Sequence, residues 1–201
     1  MRSDSAQSKW TWIFIGVMSL MGGASLAHAE VYVGGELGVN NPSQFSQVQG
    51  TVPEIGSGQV GNLALSNSMM FGVKAGYYFD TVKWGGFNLG VETEITNSTP
   101  HVKQQGWTID GAPVPGGQVP GINQRIINWS PLTVVVRYQA GAFEPYAGVG
   151  LGVYFARLNF GNASTTSTTA PGFNAQLGLR YRIGDEVSLF GEWKFNQASL
   201  N

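Results

Sequence analysis

The chain has 201 residues at 21.5 kDa, room for one domain with a core of its own. Only 11% of residues are charged, against about 25% in an ordinary soluble domain, and 29 are glycine, about twice usual. Eleven Lys+Arg against twelve Asp+Glu, with no basic stripe, exclude a phosphate-gripping nucleic-acid binder, and the absence of cysteine excludes disulfide scaffolds, thiolate metal sites and Cys nucleophiles.

The N-terminus carries Arg2 and Lys9, an apolar run from Trp10 to Leu20, small residues and Ala27-His28-Ala29. That order predicts a secretory signal peptide over 1–29, cleaved after Ala29, and the run is too short for a membrane-spanning helix. The remaining domain, 30–201, keeps nine basic and eleven acidic residues, one histidine (His101) and no apolar run of 18 residues.

From Val31 onward the period is two. Val31, Val33, Leu37 and Val39 alternate with Tyr32, Gly34, Glu36 and Asn40; Phe71, Val73, Ala75, Tyr77 and Phe79 alternate with Gly72, Lys74, Gly76, Tyr78 and Asp80. The same pattern runs through Phe87–Thr96, Leu132–Gln139, Tyr146–Phe155, Phe173–Ile183 and Val187–Asn196. Seven strands of about ten residues follow, each with one apolar face.

A soluble lipocalin-like barrel would alternate likewise, with its apolar face inside. Its outer face would then be dense with Lys, Glu and Asp. Here the polar faces hold glycines and isolated charges, which suits a crowded barrel interior. Aromatic residues also gather near strand ends, at Tyr77, Tyr78, Phe79, Trp84, Phe87, Trp129, Tyr138, Phe143 and Tyr146, as in the girdles of a transmembrane barrel.

Connections alternate in length: long over 41–66, 104–127 and 160–171, short near Asp80–Trp84, Gly141–Glu144 and Gly184–Glu186. Short turns of such barrels face the periplasm and long loops the outside. Pro42, Pro53, Pro113, Pro115 and Pro120 fall in the long loops.

With its leader, VYVGGELGVN, MMFGVKAGYYFD, EPYAGVGLGVYFARL and FNAQLGLRYRIGDEVSLFGEWKF, the chain resembles the small outer-membrane β-barrels of Gram-negative bacteria, similar to the transmembrane domain of OmpA. The resemblance implies an all-β, up-and-down antiparallel transmembrane barrel in the cell outer membrane, related to porin-family barrels. Such barrels have an even number of strands, eight at this size. Seven strands therefore lead to the expectation that a last strand is encoded beyond Asn201.

Nine charges fall on the inward face: Glu36, Lys74, Glu92, Glu94, Arg137, Arg180, Arg182, Glu192 and Lys194. Counting from the short turns sets Glu36 beside Lys74, Lys74 beside Glu92, Glu92 beside Arg137, and Arg180 beside Glu192. Buried charges need partners, so an interior salt-bridge belt is expected, either closing the lumen or lining a narrow small-solute pore.

No catalytic, cofactor or metal site emerges. A lipid-modifying site would need His101 with Ser98 and Glu94 or Thr99, but alternation puts His101 on the opposite face from Ser98 and Glu94. Gly148, Gly150 and Gly152 are followed by no helix, so they make no dinucleotide fingerprint; they are expected to make room for Tyr78, Phe190 or Arg180. Asp185-Glu186 reads as a solvated turn, Asn162 as unmodified, and Ser164–Ala170 as a mobile loop tip.

The expected role is therefore structural or surface-interacting, adhesin- or antigen-like, without an enzyme site. Expected partners are outer-membrane lipid and lipopolysaccharide, and an extracellular partner at loops 41–66 and 104–127 through Phe45, Val48, Ile55, Trp107, Ile109 and Val119. A monomer is expected, with no nucleic acid bound.

Overall fold

The computed structural model describes residues 6–15, 19–20, 29–42, 48–52, 56–60, 65–103, 105–109, 112–119, 122–159 and 165–200. Side chains are described for 30–42, 65–101, 103, 123–157, 159 and 167–198. Seven long strands run up and down in one curled antiparallel sheet: β1 (Ala29–Pro42), β2 (Ser68–Trp84), β3 (Phe87–Ser98), β4 (Ile122–Tyr138), β5 (Phe143–Asn159), β6 (Thr165–Arg182) and β7 (Val187–Leu200). Each pairs with its sequence neighbour.

A further strand, Ala6–Ile15, pairs antiparallel with both edges of this sheet. Trp10 opposes Asn196 of β7 and Pro42 of β1, and Phe14 opposes Glu192 and Gly38. The segment read from the sequence as a leader thus occupies the seam between the first and seventh strands.

The alternation is inverted relative to a soluble protein. Val33, Leu37, Phe71, Val73, Leu151, Leu177 and Ile183 are all more than half exposed, whereas Glu36, Lys74, Glu92, Arg137 and Glu144 are at most 4% exposed. A surface this apolar is stable only against lipid, where every backbone group must pair within the sheet. Along β5 the band from Phe143 to Phe155 spans twelve residue steps, about 40 Å of strand and about 30 Å across the membrane once tilted. Among the described residues no helix is long and apolar enough to cross a membrane.

The strands exceed their sequence-expected lengths. β2 runs on through Asp80 to Trp84, and the turn is Gly85-Gly86, both left-handed at φ 54° and 89°, with Trp84 opposite Phe87. Two consecutive positive φ values suit a two-residue hairpin, which glycine supplies without strain. β4 begins ten residues before Leu132. Pro131 lacks an amide hydrogen to give to the ladder; the ladder shifts register at Ser130–Pro131 and resumes, so a bulge absorbs the proline.

Thr165–Ala170, expected as a mobile loop tip, instead pairs with Tyr154–Asn159. β-Branched threonines favour a pleated strand, and polarity alone misplaced them. Outside the main sheet, Val48–Val52, Gly56–Val60, Gln105–Ile109 and Ala112–Val119 form a four-stranded sheet, in which Val60 opposite Ile109 joins the two long loops. Pro113 and Pro115 lie on its edge strand, the place a sheet tolerates proline. Phe45, Pro53, Ile55, Pro120 and Asn162 lie outside the described residues.

Two supposed girdle aromatics point the other way. Tyr78 and Tyr146 are 4% and 8% exposed and belong to the interior. Trp84, Phe87, Tyr138, Phe143 and Tyr181 face outward at the short-turn end, in contact as the pairs Trp84–Phe87, Phe87–Tyr138 and Phe143–Tyr181. Phe71, Trp129, Phe155 and Phe173 face outward toward the long loops.

Candidate functional site: a filled lumen

The lumen is layered, and inward-facing side chains build each layer. At the short-turn end Arg137 and Arg180 converge on Glu30 and Glu144. Arg137 donates to Glu30 at 2.8 and 2.5 Å and to Glu144 at 3.2 Å; Arg180 meets Glu30 at 2.7 Å and Glu144 at 3.6 Å. Arg182, expected inside, is half exposed at the rim, with its guanidinium 3.3 Å from Glu144.

Above this cluster lies an aromatic layer. Tyr32 and Tyr78 stack with centroids 5.5 Å apart, and Tyr146 and Phe190 complete the ring. Cations flank it on both sides: Arg137 Cζ lies 3.8 Å over the Tyr78 ring, and Lys74 Nζ lies 3.9 Å over Phe190. The space enclosed by Tyr32, Lys74, Tyr78, Glu92, Tyr146, Arg180 and Phe190 is about 20 Å³, enough for about one water molecule.

Glycine makes the layer possible. Tyr32 lies opposite Gly76 and Tyr146 opposite Gly178, and a Cβ at either glycine would come within 2.3 and 2.2 Å of the tyrosine ring. The aromatic ring of one strand therefore lies flat across the bare backbone of the next. Gly148, Gly150 and Gly152 instead make room for Gln176, Thr133, Asn174 and Asn128, correcting the expectation that Tyr78, Phe190 or Arg180 fill that space.

A second ionic cluster follows. Four carboxylates, Glu36, Glu92, Glu94 and Glu192, surround the ammonium groups of Lys74 and Lys194. Lys194 lies 2.8 Å from Glu36 and 3.1 Å from Glu192 and also bonds Glu94; Lys74 bonds Glu192 and lies 3.6 Å from Glu92. The Tyr32 hydroxyl donates to Glu92 at 2.6 Å, Gln176 donates to Glu92 at 3.0 Å, and Tyr146 donates to Glu192. Oxygens of Glu36, Glu94 and Glu192 lie within 4.8 Å of one another, a metal-like spacing whose cation is the Lys194 ammonium.

Of the four neighbour pairs expected by counting from the turns, Lys74–Glu92 is an ion pair. Arg137 pairs with Glu30 and Glu144, not Glu92, because Glu92 stands opposite Thr133 and Arg137 opposite Asn88. Arg180 faces Phe190, while Glu192 faces Gly178. Lys74 faces Gly34 rather than Glu36, whose carboxylate goes to Lys194. Barrel strands tilt and stagger, so equal counts from the turns do not mean equal height.

Glu30 and Glu144 were missed because both were assigned to segments flanking strands. Their parity with Tyr32 and Tyr146 was the available signal.

Toward the long loops, Tyr154 donates to Asn174, Asn174 to Ser130, and Asn40 to Ser98 at 3.3 Å. His101 is exposed, away from buried Ser98 and Glu94, and its Nδ1 lies 2.7 Å from Ser66 Oγ. Ser66 also accepts from the His101 amide and donates to its carbonyl, which ties the return of the first long loop to the end of β3.

No curated protein shows similarity to the chain. Among solved structures, outer membrane protease OmpT from Escherichia coli is 6% identical over 98% of this chain and 95% of that one, with a TM-score of 0.48. Ail, the attachment invasion locus protein of Yersinia pestis, is 10% identical over 98% and 99%, with a TM-score of 0.37. A family described as outer membrane protein beta-barrel domain matches residues 11–200. With that match over nearly its whole length, and an apolar exterior around a polar interior, the chain belongs to the outer-membrane β-barrel family.

Proposed function

We propose that the protein is a closed outer-membrane barrel of the OmpA-like kind, with a structural or surface-interaction role and no enzyme activity. Export under the 1–29 leader, cleaved after Ala29, delivers it with the short turns in the periplasm and the long loops outside. The observation supporting this reading is the filled lumen: two ionic clusters clamp an aromatic layer that leaves about 20 Å³ free. A hydrated ion needs a continuous path, and Tyr32, Tyr78, Tyr146 and Phe190 stand across it.

The loops carry the surface role. Within loops 41–66 and 104–127 the four short strands Val48–Val52, Gly56–Val60, Gln105–Ile109 and Ala112–Val119 pair into one sheet that joins the two loops and offers a surface to an extracellular partner. Purified protein reconstituted in planar bilayers tests the closed lumen, with heat-modifiable migration on gels as the control for folding. A band that shifts on boiling without discrete channel events is expected. Reproducible single-channel steps would overturn the closed barrel in favour of a narrow porin lined by Glu36, Lys74, Glu92, Glu94 and Lys194.

A further inference from the structure

The described arginines divide into two groups. Arg137, Arg180 and Arg182 all reach Glu144 within 3.6 Å. Arg125 and Arg157, at the long-loop ends of β4 and β5, stand directly opposite each other on the outward face, and no carboxylate among the described residues pairs with either. Like charges placed directly across a ladder repel. Among the described residues only Asn97 addresses them, accepting from Arg125 Nε at 2.7 Å, which orients that guanidinium and leaves its two terminal nitrogens to donate elsewhere.

Their depth is set by their neighbours. Two residues nearer the membrane centre, β5 presents Phe155, 41% exposed, and β4 presents Trp129 four residues from Arg125, 43% exposed. The arginines therefore sit just beyond the apolar band, where lipid headgroups lie. Around them is a hollow of about 370 Å³ lined by Thr99, Asn123, Gln124, Arg125, Arg157 and Asn159. Every lining residue is polar or basic.

We propose that this hollow binds the phosphate of an outer-leaflet glycolipid of the lipid A class. The two guanidinium groups grip the phosphate oxygens, while the acyl chains run down past Phe155 and Trp129. Planar guanidinium forks match phosphate geometry, and a bound dianion turns the repulsion between the arginines into attraction. The site rests on the outward orientation of the long loops proposed above; binding in detergent tests it independently of lumen closure and topology.

The test uses the full chain folded in detergent micelles and titrated with bisphosphorylated lipid A, the same lipid without phosphates, and inorganic phosphate, with retention read by native mass spectrometry. Wild type is expected to retain lipid A, and R125Q/R157Q to lose affinity tenfold or more while still shifting on boiling. K83Q, which removes an exposed lysine paired with Asp80 at the other end, is expected to bind as wild type. Equal retention by the double variant, or equal retention of the phosphate-free lipid, would overturn the proposal. So would saturation by inorganic phosphate at the same concentration, which would make the hollow a free-anion site.

Discussion

Lys194 and Glu36, separated by 158 positions in sequence, lie 2.8 Å apart across the lumen. Lys194 is on β7 and Glu36 on β1, so this pair ties together the two strands at the edges of the seven-stranded sheet. Glu30 of β1 and Arg180 of β6 make a second tie at the other end. Curvature is thus held from inside by side chains as well as by the backbone ladder.

Replacing Lys194 by Met is expected to destabilise the barrel more than any exposed substitution does. It leaves Glu36, Glu94 and Glu192 crowded together with one cation fewer in a dry interior. Removing one partner of a buried ion pair costs about 3–5 kcal/mol. The urea midpoint of the gel-shift transition should fall accordingly, and an unchanged midpoint would show that the cluster holds nothing.

The tyrosine-on-glycine packing predicts a compensating pair. Gly178→Ala puts a methyl group about 2.2 Å from Tyr146 Cζ, and relief demands that the ring move. Overpacking of this kind costs about 1–3 kcal/mol. Tyr146→Ser removes the obstacle, so G178A should cost far less in that background than in wild type. Additive effects in the double-mutant cycle, measured by the same urea transition, would contradict direct contact.

The fold was legible because period-two alternation survives any error in strand ends, and eight of the nine charges that parity assigns inward are buried, Arg182 alone standing half exposed at the rim. Heights were not legible. Stagger between tilted strands moved Glu92 away from Arg137, and the Pro131 bulge added an offset that no count along the chain reveals. Glu30 and Glu144 were lost for a simpler reason: strands that continue past the membrane band have polar ends that look like turns.

The leader reading predicts that protein recovered from outer membranes begins at Glu30. N-terminal sequencing or intact mass decides it. A chain retaining residues 6–15 would overturn cleavage after Ala29 and make Ala6–Ile15, which pairs with both β1 and β7, a strand of the mature barrel.

The aromatic layer, and not the charge clusters, should set conductance. Arg137 and Lys74 lie against the rings of Tyr78 and Phe190, so truncating the rings removes the obstruction while the ion pairs of both clusters keep their partners. Y32A/Y78A/Y146A deletes three rings from one layer and, with the glycines opposite already lacking side chains, leaves an aqueous gap bounded by backbone. Planar-bilayer recordings should show discrete steps from the triple variant and none from wild type, provided its band still shifts on boiling. A triple variant that folds and stays silent would place the barrier at the ionic clusters instead. E92A would then be the variant to conduct, since Glu92 is where Lys74, Tyr32 and Gln176 converge.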